Sequence, residues 1–284
     1  MRRIFIGCVL IVMLVLGCTT EPGPPFRVMS FNVRIDLRSD GENAWLHRRP
    51  RVDTLLTHHT PHILGVQEAL AHQVRDLNDM LPMHDWYGIG REDGLAKGEF
   101  MAIFYDTSRF SLVRSGTFWL SETPEVPGKG WDADWIRTAS WGVLTDGSSG
   151  RDLFLLNTHL DNRGEQARLK GAELIMERIP VLAEGLPVLL MGDLNCPPGS
   201  APHEVIEKGS FLKNSSEVSL SPPRGSRGTY TAFDLRRDVS DEAPIDHIFT
   251  SLEFQVMEHA TIDMQVDGQL PSDHFPVMIS LALQ

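Results

Sequence analysis

Pro187-Val188-Leu189-Leu190-Met191-Gly192-Asp193-Leu194-Asn195-Cys196-Pro197-Pro198 is the stretch from which the fold of this chain is read. Its apolar opening reads as a strand buried on both faces, stopped by Gly192 and the Pro197-Pro198 pair. Asp193 and Asn195 stand where that strand leaves the core. Two residues apart on extended backbone, they point to one side. One is a candidate base and the other a neutral hydrogen-bond donor, a combination suited to activating water beside a phosphate. Alone, the pair is explained as well by a capped turn after a core strand; the rest of the chain shifts that balance.

A chain of 284 residues is long enough for a sizeable core and lies near the upper end for one α/β domain. With 42% hydrophobic and 23% charged residues, its composition is that of an ordinary globular protein. Lys and Arg total 26 against 38 Asp and Glu, a formal charge of −12. Non-specific duplex binding is mainly phosphate neutralisation by basic side chains, so this balance argues against duplex nucleic acid as a partner. A local basic pocket for a small phosphate ester remains compatible with it.

Arg2 and Arg3 precede an apolar run over residues 4–16, the pattern of a signal peptide. Val15-Leu16-Gly17-Cys18 then resembles a bacterial lipobox with Cys18 as the lipidated residue, although a small residue is commoner where Leu16 stands. An uncleaved membrane anchor is the alternative. The expected division is a signal peptide over 1–17, a tether over 18–25 and one domain over 26–284. The domain is expected to be exported, lipid-anchored to a bacterial membrane, and monomeric. Loss of residues 1–17 leaves 24 basic against 38 acidic residues, a charge of −14. Of three cysteines, Cys8 falls in the signal and Cys18 carries lipid, so Cys196 is alone and no disulfide staples the domain. With no histidine beside it in sequence, Cys196 reads as a small buried filler.

Hydrophobic spacing predicts strands near 28–31, 63–66, 86–89, 101–105, 111–120, 139–144, 153–158, 187–191, 245–250, 254–262 and 277–283. It predicts helices over 45–58, 73–80, 163–179 and 203–207. Residues 121–137, rich in Pro, Gly and Trp, form a long loop of the kind that lines sites. Strands without intervening helices in the middle and at the end favour mixed sheets covered by helices over a doubly wound sheet.

Polar groups recur at the ends of these strands. The first ends in Asn32, the second in Gln67-Glu68, and the 153–158 strand in His159 with Asp161 two residues on. Asp193 and Asn195 follow the opening stretch, Asp246-His247 follow Ile245, and Ser272-Asp273-His274 precede the last strand. Each residue has an ordinary explanation when taken singly: a strand-end turn acid for Asp246, a core histidine for His159, an acid near a helix start for Glu68. The recurrence carries the weight. The His58, His59, His62 group fits no standard zinc spacing and reads as a solvated helix end. Asn214-Ser215-Ser216 is a glycosylation sequon, idle if the lipobox is bacterial.

In order along the chain, Ser30-Phe31-Asn32-Val33, Gln67-Glu68, Asn157-Thr158-His159-Leu160-Asp161, Gly192-Asp193-Leu194-Asn195, Ile245-Asp246-His247-Ile248-Phe249 and Ser272-Asp273-His274-Phe275-Pro276-Val277 resemble the endonuclease/exonuclease/phosphatase superfamily of DNase I-like, metal-dependent phosphoesterases. Gly116 to Pro124, Gly130-Trp131-Asp132-Ala133, Arg34-Ile35-Asp36 and Asp40 to Trp45 narrow the likeness to a bacterial nocturnin-like branch. The resemblance implies an α/β (α+β) fold, a four-layered α/β/β/α sandwich, with its site where the two sheets open at one edge. It implies Mg²⁺ or Mn²⁺ as cofactor, with Glu68, Asn32 and Asp273 around the ion. Mg²⁺ keeps several waters and needs only one or two carboxylates beside substrate oxygens. In the implied catalytic set, Asp193 deprotonates the attacking water and His274, steadied by Asp246, stabilises or protonates phosphate oxygens. Asn195 gives neutral hydrogen bonds and His159 charge-assisted ones.

In one place the chain departs from the family pattern. DNA-repair members carry a carboxylate two residues after the asparagine, where this chain has Arg34. A cation there favours one metal and is free to grip a substrate anion in a bidentate manner. Arg34, Arg137 and Asp161 are the expected substrate contacts, and Trp119, Trp131 and Trp135 are expected at the rim. The expected activity is hydrolysis of a phosphoester, diester or monoester, on a small or lipid-like substrate. An extracellular nuclease and a non-catalytic binding lipoprotein on the same fold are the alternatives.

Overall fold

The computed structural model describes residues 23–208 and 211–284. The expected signal peptide, Cys18 and most of the tether lie outside them. Among the described residues no helix is long and apolar enough to cross a membrane.

The chain first lays down strand β1 (Phe26–Asn32), helix α1 (Trp45–His59), β2 (Ile63–Gln67), α2 (Ala71–Met80), β3 (His84–Tyr87) and β4 (Ile103–Asp106). It continues with β5 (Phe110–Trp119), β6 (Thr138–Asp146), β7 (Arg151–His159), α3 (Glu165–Ala183), β8 (Val188–Asp193), α4 (Ala201–Glu207), β9 (Leu212–Asn214), α5 (Ser215–Val218) and β10 (Asp246–Ser251). Strands β11 (Phe254–Thr261) and β12 (Val277–Leu283) finish it. Two six-stranded sheets result, ordered β11-β12-β1-β2-β4-β3 and β5-β6-β7-β8-β10-β9. The last two strands therefore return to the first sheet.

Alternation along the strands explains the unbroken apolar strings. Leu189 and Met191 of β8 point between the sheets and meet Val28, Ile63 and Ile279 from the other one. Val188 and Leu190 point outward, where Ala172, Ile175 and Ile179 of α3 cover them. On the opposite outer face, Met29, Phe31 and Leu64 pack under Val52, Leu55 and Leu56 of α1 and Val74 and Leu77 of α2. The result is helices, sheet, sheet, helices: the four-layered α/β/β/α sandwich of the DNase I-like fold. Gly65 lets the sheets close tightly, because a Cβ there would overlap Met191 Sδ. Across the same gap Gln67 Nε2 donates to Asn157 Oδ1 at 2.7 Å, and Asn157 Nδ2 donates to Val66 O at 2.8 Å.

Strand direction places the polar tips. β1 runs parallel to β2, and β7 parallel to β8, so Asn32, Gln67, His159 and Asp193 lie at C-terminal ends on one edge. β10 and β12 run antiparallel to their neighbours. Their N-terminal ends, Asp246 and the turn holding His274, therefore arrive at that same edge.

Several elements differ from expectation. β8 does not stop at Gly192; it continues to Asp193 with Gly192 at φ 151°, where a Cβ would overlap the Thr158 carbonyl of the parallel neighbour. α3 runs past Pro180 because Ala183 is buried beneath it and packing outweighs the missing hydrogen bond. β9 and α5 escape hydrophobic spacing because they are short and largely polar. Asn214 of the sequon is buried and caps α5, accepting from Ser216 N at 3.1 Å, so it offers no room for a glycan. Cys196 packs in the core under the second sheet, and burial raises its thiol pKa.

Arg48 is fully buried yet makes no salt bridge among the described residues. Its guanidinium donates to the carbonyls of Val33 (2.7 Å), Arg34 (3.0 Å), Asn43 (2.6 Å) and Pro271 (2.9 Å). It ties the loop after β1 to the turn before β12, and burial lowers its pKa to about 10. Arg48→Met leaves four carbonyls without their donors and is expected to destabilise the fold by about 3 kcal/mol, lowering Tm by roughly 6–12 °C. Urea unfolding measures this, and an unchanged midpoint would remove Arg48 from this role.

Candidate active site

Asn32 joins the two sheets at the site. Its Nδ2 donates to Glu68 Oε1 and to Asp193 Oδ2, each at 3.0 Å, while its Oδ1 accepts from Arg34 N at 3.0 Å. In this orientation the amide oxygen accepts from the backbone, with one lone pair left, and the amide nitrogen spaces two carboxylates. Glu68 receives a second hydrogen bond, Ile35 N to Oε2 at 2.9 Å. Arg34, Glu68 and Asn195 all adopt left-handed backbone, with φ of 59°, 65° and 49°. Non-glycine residues rarely do so, and three at one site show a backbone bent to aim side chains. Asp193 and Asn195 thus face one cavity through a sharp turn and not through continuing strand.

That cavity has a volume of about 580 Å³. Glu68, His159, Asp193, Asn195, Asp273 and His274 line it, as do Arg34 and Arg137. Asp246 stands behind His274, whose Nδ1 donates to Asp246 Oδ2 at 2.9 Å. Burial alone would lower the His274 pKa, but Asp246, Asp193 and Asp273 outweigh it and hold the imidazole charged. Asp193 is fully buried; its pKa is pushed up to about 7, first by burial and then by Asp246, against the pull of His274 and Asn32. His274 Nε2 lies 3.8 Å from Asp193 Oδ2.

His159 departs from the charge-assisted donor expected of it. Burial, with Arg137, Arg91 and His274 nearby, lowers its pKa well below the ordinary value and keeps it neutral. Asn195 Nδ2 donates both to Leu160 O and to His159 Nε2, each at 3.0 Å. The carbonyl fixes the amide orientation, so Nε2 accepts and the proton sits on Nδ1. Both Asn195 amide hydrogens are therefore engaged within the protein.

Arg34 pairs with both oxygens of Asp40, at 3.0 and 3.2 Å, and its Nη1 lies 3.6 Å from Asp273 Oδ2. The Asp40 hydrogen bond raises its pKa further. Asp161 does not line the cavity. It accepts from Arg137 Nε and from the backbone of Asp134, Trp135, Arg163 and Gly164. Burial would raise its pKa, but the Gly164 and Arg163 N–H groups and Arg137 bring it to about 2. Asp161, expected as a substrate contact, holds Arg137 and the tryptophan loop from behind the cavity wall. Of the three tryptophans only Trp135 lines the cavity; Trp119 is buried, its indole N–H donating to Arg91 O at 2.7 Å.

Sequence spacing missed Arg91 and Glu99, a buried pair on the cavity wall joined at 2.6 Å. The charged run Gly90-Arg91-Glu92-Asp93-Gly94 between two short strands was their only signal. Burial pushes the Glu99 carboxyl up to about 7 against the pull of Arg91.

The donor set fits a hard divalent cation. Glu68 and Asp273 are two carboxylates facing one cavity, and burial with Glu68 nearby raises the Asp273 pKa, a strain that a bound cation relieves. Asp193, Asp246 and His274 also have ligand atoms within 4.8 Å of one another. There, however, His274 Nδ1 is engaged with Asp246, and its raised pKa favours the charged imidazole, which suits a donor better than a ligand.

Residues 29–274 match the model of the endonuclease/exonuclease/phosphatase family. A family protein from Bacteroides thetaiotaomicron superposes with a TM-score of 0.87 at 36% identity, covering 93% of this chain and 100% of its own. A mannosyl-6-phosphatase from the same species gives 0.85 at 36% identity, covering 90% and 99%. The human nocturnin catalytic domain with bound sulfate gives 0.72 at 19% identity, covering 92% and 94%, a likeness of fold alone. A two-sheet sandwich with carboxylates and imidazoles gathered at one edge defines a phosphoesterase-type architecture. The chain belongs to the endonuclease/exonuclease/phosphatase family, whose members are phosphoester hydrolases and generally depend on a divalent metal.

The raised His274 pKa has a direct test. Its stabilisation is complete below the unfolded value of about 6.5 and is lost as pH rises through the higher folded value. In Asp246→Asn the imidazole is expected to titrate at clearly lower pH by NMR, and the high-pH loss of stability should move down with it. An identical His274 titration in both proteins would rule out Asp246 as the source.

Proposed function

We propose that this protein is a Mg²⁺- or Mn²⁺-dependent phosphomonoesterase of the nocturnin-like bacterial branch, acting on small, polar phosphate esters. The observation that carries this is the convergence of Glu68, Asp193, Asp273 and His274 on one cavity, with Asn32 spacing two of the carboxylates. Glu68 and Asp273 would hold the cation. A bound Mg²⁺ or Mn²⁺ supplies charge neutralisation at the phosphate. Asp193, with its pKa near neutrality, accepts a proton from the attacking water while Asn32 and the Asn195 N–H fix its orientation. His274, held charged by Asp246, faces the phosphate oxygens as donor. Arg137, anchored by Asp161 and Asn162, adds positive charge beyond His159.

The cavity wall supports a small polar substrate over a lipid. Beside apolar Ile35, Leu37 and Leu70 it carries Arg34, Arg91, Glu99 and Arg137, charged groups that suit hydroxyls and anions. The mannosyl-6-phosphatase neighbour, aligned over nearly its whole length, points to a sugar phosphate. We read the N-terminus as a lipoprotein signal, with attachment through Cys18 to a bacterial membrane. Cys18→Ala is expected to shift the protein out of the membrane fraction on cell fractionation; unchanged membrane association would count against the lipid.

A substrate panel tests the activity: hexose 6-phosphates, phenyl phosphate, bis-aryl phosphate, sphingomyelin, plasmid and RNA with Mg²⁺ or Mn²⁺. Monoester turnover should vanish with chelator and fall at least about 100-fold in Asp193→Ala and His274→Ala. Cleavage confined to plasmid or RNA would make it a nuclease. Wild type and both variants behaving alike on every substrate would end the hydrolase reading.

A further inference from the structure

Resting on that phosphomonoesterase reading, we propose that Arg91, Glu99 and Trp135 form a subsite that holds the hydroxyl-bearing half of a sugar phosphate. Arg91 N donates to Glu99 O at 3.0 Å, so the two residues face each other at the neck of the loop over 90–99. Phe100 N donates to Ala69 O at 2.8 Å, which places Glu99 beside the strand end that carries Glu68. The subsite is therefore next to the cation ligand and on the same cavity wall.

The pair is open on the cavity side. Arg91 Nη1 engages Glu99 Oε2. Among the described residues, Glu99 Oε1 accepts no hydrogen bond, and the Arg91 Nε and Nη2 groups make none to a protein atom. An acceptor and several donors thus stand side by side, matched to vicinal hydroxyls, each of which donates one hydrogen bond and accepts others. Burying an ion pair carries a desolvation penalty that an apolar pair of similar volume avoids, so its place on a cavity wall suits polar ligands.

Trp135 completes the arrangement. Its ring centroid lies 6.0 Å from the Arg91 guanidinium, and the residue is 54% exposed despite its size. An indole fixed beside a guanidinium and a carboxylate offers a flat apolar face to the C–H surface of a pyranose while the polar pair takes its hydroxyls. Asp161 sets its position by accepting from Trp135 N at 3.1 Å.

The experiment compares kcat/KM for mannose 6-phosphate and glucose 6-phosphate with that for phenyl phosphate, which has no hydroxyls to read. In Glu99→Gln the selectivity ratio should fall about ten-fold, mostly through KM, since a hydrogen bond to a charged partner is weakened. Trp135→Ala, exposed and safe for folding, should lower the same ratio and carries the test if Glu99→Gln does not fold. A purely structural role would lower both substrates alike and leave the ratio unmoved, which would overturn the subsite. Wild-type turnover of phenyl phosphate without hexose phosphates would also overturn it while sparing the hydrolase. Turnover of neither monoester would sink the underlying reading itself.

Discussion

The Asn32 amide, held between Glu68 and Asp193, is the contact on which the site depends. The two carboxylates come from different sheets, 125 positions apart in the chain, and Asn32 meets each at 3.0 Å. Without a neutral donor between them the two carboxylates would repel at close range beside the cavity. The Gln67 to Asn157 hydrogen bond and the missing side chain at Gly65 bring the sheets close enough for that bridge to form. The placing of Glu68, Asp193 and the Asp246–His274 pair around one cavity presupposes this spacing.

The sandwich was legible because its evidence is periodic. Strands buried on both faces give unbroken apolar strings such as Val188 to Met191, and helices α1 and α3 show their stripes. What could not be read lies where packing or hydrogen bonding overrides local preference. Pro180 sits within α3 because Ala183 is buried beneath it, and β9 with α5 is held mainly by polar contacts around Asn214.

The site was legible in its members and less so in their roles. Polar residues at strand ends gave Glu68, Asp193, Asp273, His159 and His274, which the structure brings to one cavity. Sequence cannot show which atom of an amide faces which partner, so Asn32 emerged as a bridge only from its geometry. The neutral state of His159 follows from burial beside Arg137 and Arg91, neighbours that are distant in the chain. Asp161 has the sequence signature of a site acid, yet its carboxylate is fully engaged in organising a loop. Left-handed backbone at Arg34, Glu68 and Asn195 leaves no mark in composition.

Strand β12 inserts between β11 and β1, and the turn that leads into it carries Asp273 and His274 as consecutive residues. One faces the Glu68 half of the site, the other is anchored to Asp246 on the opposite sheet. A single peptide bond therefore couples the Glu68 side of the cavity to the Asp246 side. Displacing this one turn would withdraw both groups from the cavity together, so its two sides stand or fall as one.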